Sequence, residues 1–307
     1  NTRSRGLGDV YKRQNIHMPA VRGARPIRNK EILDFHNSIG MPKETSIEEY
    51  AKVWRNWINF SSTKSLTGLD SFTFADYTQG TSQAFDNFIL RHCKDRQINV
   101  LKGDFQYHAC LGKHVEFNYV EYPHHFESIL NGPDLHALLI SAPFSDFGCI
   151  HPDFEHIMRI CEAHNIPVCL DLAYWGIAKH VHINLNSFSC IKEVTCSLSK
   201  PFFTLENHRV GIRFTKDYVD DGVSMLNEVN MANNYSMALG VEYMKNFGPD
   251  YNWEKYTESY QSVCHQHDLV WCDTVIFGLG DDVRHKEFNR GVSGNYRVCV
   301  SEWLSDC

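Results

Sequence analysis

The chain has 307 residues, of which 43% are hydrophobic and 22% are charged, and its formal net charge is −7 at pH 7. This length leaves room for one large and one smaller domain around a sizeable core. The negative net charge and the lack of a Lys and Arg cluster argue against a nucleic-acid partner. The lack of a run of about 18 apolar residues argues against a membrane partner.

The cysteines and histidines predict neither a disulfide framework nor a metal site. The 11 cysteines are scattered singly, several of them within apolar runs, which favours free thiols in a reducing cytoplasm. The 17 histidines lack the Cys, His and carboxylate spacing of a zinc site. We therefore expect a cytoplasmic protein that binds no metal.

Hydrophobic periodicity predicts helices and strands that alternate through the middle of the chain. Helices are predicted at 47–57, 84–89, 151–164 and 235–247, and strands at 98–101, 135–140, 166–170, 194–196, 209–214 and 296–300. Residues 76–82 are predicted to form a polar turn before the second helix, and residues 278–282 a loop. The alternation predicts an α/β fold whose mostly parallel sheet is covered by helices on both faces, as a three-layer α/β/α domain.

The elements suggest four stretches of chain. Residues 1–14 lack the apolar core of a signal peptide and resemble a translated sequencing-adapter tail, so we treat them as a non-native tail. Residues 15–60 are predicted to form an N-terminal segment with part of a small domain. Residues 61–230 then form the large domain, and residues 231–307 the remaining small α+β domain.

Ser145, Asp171 and Lys200 each follow a predicted strand. Because ligands bind at the carboxyl ends of the strands in such sheets, we expect these three side chains to meet at one edge. A lysine forms an imine with an aldehyde only when its amine is neutral, which burial or a neighbouring charge promotes. Taken alone, Lys200 would be interpreted as a surface lysine after a strand.

Three motifs, Asp171-Leu172-Ala173-Tyr174, Ser197-Leu198-Ser199-Lys200 and Arg209-Val210-Gly211, follow one another in this order. Together they resemble the class I/II aminotransferases of fold type I, which depend on pyridoxal phosphate (PLP). The resemblance implies that Lys200 holds PLP as a Schiff base and moves the substrate's Cα proton. It also implies that Asp171 binds the ring nitrogen of the cofactor and that Tyr174 binds its phenolic oxygen.

The same resemblance implies a phosphate site made of Gly80, Thr81, Ser82, Ser197 and Arg209. The first three residues would offer N–H groups and hydroxyls at a helix N-terminus, and Arg209 a planar guanidinium.

The spacing before this arginine departs from the family pattern. Arg209 follows Lys200 by nine positions, one more than the pattern has. The sequence therefore predicts either a one-residue bulge before Arg209 or His208 in its place.

Four further residues complete the predicted site. Phe105 is predicted to stack on the ring, with Tyr107 as the alternative. Ser145 stands where the family has an asparagine that binds the phenolic oxygen. Arg297 matches the small-domain arginine that binds the substrate carboxylate, although it could instead be a structural arginine on a strand. Gly40 is placed in the same pocket from the N-terminal side.

The resemblance implies an aminotransferase that moves an amino group from an amino acid to a 2-oxo acid. It also implies a homodimer with the site near the interface. Two alternatives stay open. A PLP-dependent lyase or decarboxylase would use the same pocket, and a non-catalytic binding protein would keep the fold without turnover.

Overall fold

The structure is a computed structural model that describes residues 23–105, 107, 117–120, 134–289 and 292–307. The predicted tail at 1–14 lies outside these residues. In the described ranges the α-helices are α1 (Lys30–Ser38), α2 (Ile47–Asn59), α3 (Gly80–His92), α4 (Phe154–Ala163), α5 (Gly222–Glu228), α6 (Asn234–Asn246), α7 (Tyr251–Gln266) and α8 (Ser301–Leu304).

Seven strands of the described chain form the central sheet. They are β2 (Phe74–Gln79), β3 (Gln97–Leu101), β4 (Phe117–Val120), β5 (His136–Ser141), β6 (Val168–Leu172), β8 (Ile191–Ser197) and β9 (Val210–Thr215), in the spatial order β2-β9-β8-β6-β5-β3-β4. The pairs from β8 through β4 are parallel, and β9 runs antiparallel to both of its neighbours. The expected mostly parallel sheet is confirmed.

Alternate residues of β5 show why the sheet needs a helix layer on each face. Leu138 and Ile140 pack into the core beside α2 and α4, whereas Ala137 and Leu139 pack with the apolar face of α3. Successive side chains of a strand point to opposite faces, so a strand buried on both faces is apolar throughout. The fold is therefore the predicted α/β fold with three layers.

A second, smaller sheet forms near the C-terminus. It consists of β10 (Val270–Trp271), β11 (Phe277–Gly280) and β12 (Tyr296–Cys299), all antiparallel. Side chains of α7 and of these strands form a second core, which Tyr174 and Ile177 of the central part also enter. A short parallel pair, β1 (Ser65–Thr67) with β7 (His182–Asn184), completes the sheets of the described chain.

Three sequence predictions are corrected by the structure. The residues predicted as a turn at 76–82 are divided between strand β2, which ends at Gln79, and helix α3, which begins at Gly80. The predicted loop at 278–282 is largely strand β11, which ends at Gly280. The strand predicted at 166–170 is observed at Val168–Leu172, so Asp171 lies within the strand rather than after it.

Two further observations concern the described chain as a whole. None of its helices combines the length and apolar character needed to cross a membrane. The cysteines in the described ranges carry free thiols, and seven of them are buried.

Candidate active site

A cavity opens at the carboxyl edge of the central sheet, with about 480 Å³ of space not filled by atoms. Strands β5, β6 and β8 place their last residues there side by side, because Ser141 pairs with Asp171 and Leu172 with Cys196. The lining residues are Thr81, Ser82, Phe105, Ser141, Asp171, Ala173, Tyr174, Ser197, Ser199, Lys200 and Arg209. Two larger open grooves lie along α2, and none of the predicted site residues lines them.

Lys200 is held by a turn that directly follows β8. The Ser197 hydroxyl donates to the Val210 carbonyl at 3.2 Å and accepts from the backbone N–H of Ser199 at 3.2 Å. These bonds give the turn a fixed shape that aims the next side chain into the cavity. The Lys200 Nζ donates to the backbone carbonyl of Ala24 at 2.6 Å, so the N-terminal segment reaches the same amine.

Asp171 is a buried carboxylate in the floor of the cavity, only 6% exposed. One of its oxygens accepts a hydrogen bond from the Ala173 N–H at 2.8 Å. Burial raises the pKa of Asp171 well above its usual range, and the nearby Asp104 raises it further, whereas the Lys200 charge lowers it. A cationic N–H group placed in this cavity would favour the ionised form of Asp171.

Tyr174 lines one wall of the cavity, whereas Ser145 is buried next to it and does not line the cavity. Their hydroxyl oxygens are 3.4 Å apart, and either can donate. The Tyr174 ring meets the Phe277 ring edge-on, with centroids 5.4 Å apart. The structure therefore places Ser145, which stands where the family has asparagine, beside Tyr174.

The opposite end of the cavity carries groups that suit an anion. Gly80 begins α3 with φ +68°, and the helix has no side-chain cap, so its first N–H groups are open to a ligand. Arg209 Nη2 donates to the Ser82 Oγ at 3.1 Å and to the Gln79 carbonyl at 3.3 Å. The guanidinium thus lies directly beside the helix N-terminus, next to Thr81.

Arg209 lines the cavity, whereas His208 does not. Arg209 has φ +55°, and its carbonyl accepts from the Tyr77 hydroxyl at 3.2 Å. His208 instead places its ring beside His36 and Tyr235, with centroids 5.6 and 5.8 Å away. Arg209 thus takes the left-handed conformation while its side chain lines the cavity.

Phe105 lines the cavity from the turn after β3. Its ring stacks on that of Tyr107, with centroids 5.8 Å apart and planes inclined by 16°, and meets Phe85 edge-on. The two aromatic candidates of the sequence therefore form one stack, in which Phe105 is the ring that lines the cavity.

Arg297 and Gly40 lie apart from the cavity lining. Arg297 is 1% exposed, and its Nη1 donates to the carbonyl and the hydroxyl of Ser145 at 2.7 and 2.9 Å. Its guanidinium lies 4.0 Å from the centre of the Phe277 ring. Gly40 is exposed, with nothing within 4 Å of a Cβ built on it, so the structure does not bring it to the site.

Three polar residues of the site were missed from the sequence, and one of them is Ser199, which lines the cavity beside Lys200. Ser141 ends β5 and lines the cavity, and Asp104 accepts its backbone N–H at 3.0 Å and its hydroxyl. The position of Ser141 at the end of a strand was a usable signal, since ligands bind at such ends. No local pattern marks Asp104, because its partner lies 37 positions away.

No protein-family model matches the chain, and no curated protein sequence matches it significantly. In three dimensions the chain is similar to a PLP-bound C-S lyase from Staphylococcus hominis, at 12% identity and a TM-score of 0.65, over 92% of this chain and 86% of that one. It is also similar to a PLP-bound putative aminotransferase from Clostridium difficile 630, at 14% identity and a TM-score of 0.63, over 90% and 84% of the two chains. Tyrosine aminotransferase from Leishmania infantum matches at 14% identity and a TM-score of 0.62, over 91% and 87%. The chain therefore has the fold of the fold type I enzymes that depend on pyridoxal phosphate.

Proposed function

We propose that the chain is a PLP-dependent enzyme acting on an amino acid, and specifically an aminotransferase. The observation that carries this proposal is the meeting, in one cavity, of Lys200, the buried Asp171, Tyr174 and an anion site at Arg209. Few ligands other than a phosphorylated, nitrogen-containing aldehyde need all four groups at once.

The residues fit this cofactor in three respects. The helix N-terminus at Gly80 and the Arg209 guanidinium suit a phosphate group. The raised pKa of buried Asp171 marks a carboxylate that gains from a protonated ring nitrogen. Lys200 lines the same cavity with a primary amine that can bond to an aldehyde.

When bound, PLP supplies a carbonyl that reacts with amines and a ring that accepts the electron pair released at the substrate's Cα. In this proposal Lys200 would hold the cofactor through Nζ and would take the proton from the substrate's Cα. Asp171 would keep the ring nitrogen protonated, Tyr174 and Ser145 would orient the phenolic oxygen, and Phe105 would fix the plane of the ring. The phosphate would be held by Gly80, Thr81, Ser82, Ser197 and Arg209.

The substrate carboxylate is proposed to bind at Arg297, which contacts Ser145 and does not itself line the cavity in this structure. A planar guanidinium suits a carboxylate, and this one is oriented by Ser145 and by the face of Phe277. Its contact with Ser145 joins the substrate end of the site to Tyr174. The carboxylate and the cofactor would thus be positioned by one connected set of side chains.

A PLP-dependent lyase is the second candidate. Two observations favour it: the structural similarity to the C-S lyase, and Ser145 at the position where an aminotransferase is expected to have asparagine. A serine offers a single donor where the amide of asparagine offers two. The phenolic oxygen of the cofactor would then receive a different set of hydrogen bonds, which would change the electron distribution in the cofactor ring.

The deciding experiment is reconstitution of the purified chain with PLP, followed by a panel of amino donors and 2-oxo acid acceptors. An aminotransferase converts its bound cofactor to the pyridoxamine form with a donor alone, and returns it with an acceptor. Release of ammonia, sulfide or carbon dioxide without that change would instead establish the lyase or decarboxylase. A bound-cofactor band without turnover would indicate a binding protein, and the absence of any band would refute the cofactor assignment.

The predicted homodimer is also part of the proposal. Light scattering during size-exclusion chromatography, with and without PLP, measures the mass directly. A mass of one chain, 35.5 kDa, at working concentration would contradict it.

A further inference from the structure

Asp104 is a buried carboxylate at the cavity edge that the proposed function does not use. It lies in the turn after β3 and is 4% exposed. Its oxygens accept hydrogen bonds from the backbone N–H of Phe105 at 2.7 Å, from the backbone N–H of Ser141 at 3.0 Å, and from the Ser141 hydroxyl. Three donors converge on this side chain, which fixes its position closely.

These bonds connect two walls of the cavity. Phe105 lines one wall, and Ser141 lines another at the end of β5. Ser141 is paired with Asp171 in the register of β5 and β6, and the next N–H, that of Ala142, donates to the Asp171 carbonyl at 2.8 Å. Asp104 therefore lies behind Ser141, and its hydrogen bonds connect Phe105 on one wall with the strand end that is paired with Asp171.

The charged side chains near Asp104 and Asp171 affect one another's pKa. Burial raises the pKa of Asp104 to about 6, the hydrogen bonds from Ser141 and Phe105 lower it, and the charge of Asp146 raises it. Burial raises the pKa of Asp146 to about 6, although the charge of Arg297 lowers it. Asp104 raises the pKa of Asp171, whereas Lys200 on the other side lowers it. The ionised form of Asp104 therefore places a negative charge that acts on Asp171.

We propose that Asp104 is a positioning residue that acts through Asp171. Its carboxylate ties the turn that carries Phe105 to the end of β5 and places a second negative charge behind the floor of the site. This charge favours a positive charge on whatever group Asp171 contacts. The inference deepens the proposed function, on which its consequence for the cofactor rests.

The first test uses Asp104→Asn, which removes the charge and keeps the shape. The pH midpoint of the absorbance change of PLP bound at Lys200 is measured in each variant. Loss of a nearby negative charge destabilises the protonated form of the bound cofactor. The pH midpoint is therefore expected to fall by about half a pH unit to one pH unit, the range expected for a single neighbouring charge. The control is Asp95→Asn, which neutralises an exposed aspartate just before the same strand and leaves the midpoint unchanged.

Asp104→Glu separates the charge from the geometry of the turn. Glutamate keeps the charge but lengthens the side chain, so it disturbs the hydrogen bonds to Ser141 and Phe105. A midpoint close to that of the wild type is expected. Equal shifts in Asp104→Asn and Asp104→Glu would show that only the turn matters and would overturn the proposal.

A second readout needs no cofactor. In protein labelled with ¹³C at aspartate carboxyl groups, the Asp171 resonance is identified by its loss in Asp171→Asn and followed against pH. Its pKa is expected to fall in Asp104→Asn, and an unchanged pKa would overturn the inference even if PLP binds as proposed. A fall in this pKa in a chain that binds no PLP would leave the coupling standing and refute the proposed function instead.

Discussion

Replacement of Gly80 by alanine tests the anion site by adding a single methyl group. Gly80 has φ +68° at the first residue of α3, a conformation that L-residues rarely adopt. A Cβ built there lies 2.8 Å from Arg209 Nη2 and 3.1 Å from its Cζ. The substitution therefore strains the backbone and displaces the guanidinium.

Two separate losses follow. The left-handed conformation costs a residue with a side chain about 1–2 kcal/mol, which is the expected decrease in the free energy of unfolding. Displacing Arg209 removes a charge-assisted hydrogen bond to the phosphate, about 1.5–3 kcal/mol. The dissociation constant of PLP is therefore expected to rise about tenfold to a hundredfold.

The free energy of unfolding is measured by urea titration and the affinity by fluorescence titration with PLP. The matched control is Gly222→Ala, because Gly222 starts helix α5 and nothing lies within 4 Å of a Cβ built on it. This variant is expected to bind PLP as the wild type does. Wild-type affinity in Gly80→Ala, with the strain penalty present, would refute the placement of the phosphate beside Arg209.

Three further outcomes are expected. Arg209→Ala weakens PLP binding about tenfold to a hundredfold, whereas His208→Ala, whose ring points away from the cavity, changes it less than about twofold; equal effects would contradict the assignment of the guanidinium. Arg297→Lys raises KM for the amino acid at least about tenfold, because lysine lacks the planar fork; an unchanged KM in steady-state kinetics would contradict the carboxylate role. Desolvation opposes ionisation of Asp250, but hydrogen bonds and the charge of Lys64 outweigh it and lower the Asp250 pKa to about 2. The ionised Asp250 therefore stabilises the fold above the unfolded pKa of about 4, and this stabilisation is lost as the pH falls toward 2. Asp250→Asn is accordingly expected to lower the free energy of unfolding by about 1–2 kcal/mol at pH 7, with the difference from wild type shrinking toward pH 2 in urea titrations.

Local sequence patterns predicted the strands that can be recognised from their apolar residues. Strands β5 and β6 are mostly apolar, β8 has an apolar residue on either side of Thr195 at Val194 and Cys196, and the structure confirms all three strands to within a few residues. Because parallel strands end at one edge, the meeting of Asp171 and Lys200 in one cavity also followed from the order of the elements.

Long-range pairing accounts for what the sequence did not predict. Strand β2 looks polar because it contains Asp76, yet that carboxylate is buried against Arg213 of β9, with Oδ2 and Nη2 2.6 Å apart. Such a partner cannot be found by reading along the chain.

Strand β11 looked like a loop because of its glycines. Gly278 is packed so closely that a Cβ would lie 2.7 Å from Leu269, so the small residue serves the packing of a strand. Glycine in a single sequence signals both a turn and a close approach, and only the structure distinguishes the two.

The central claim is that Lys200 forms the covalent bond to the cofactor. The most direct measurement is incubation with PLP, reduction with borohydride and peptide mass spectrometry, with Lys200→Ala as the control. We expect the pyridoxyl mass on the peptide that contains Lys200, and its loss in the variant. A label absent from Lys200, or spread equally over other lysines, would contradict the account.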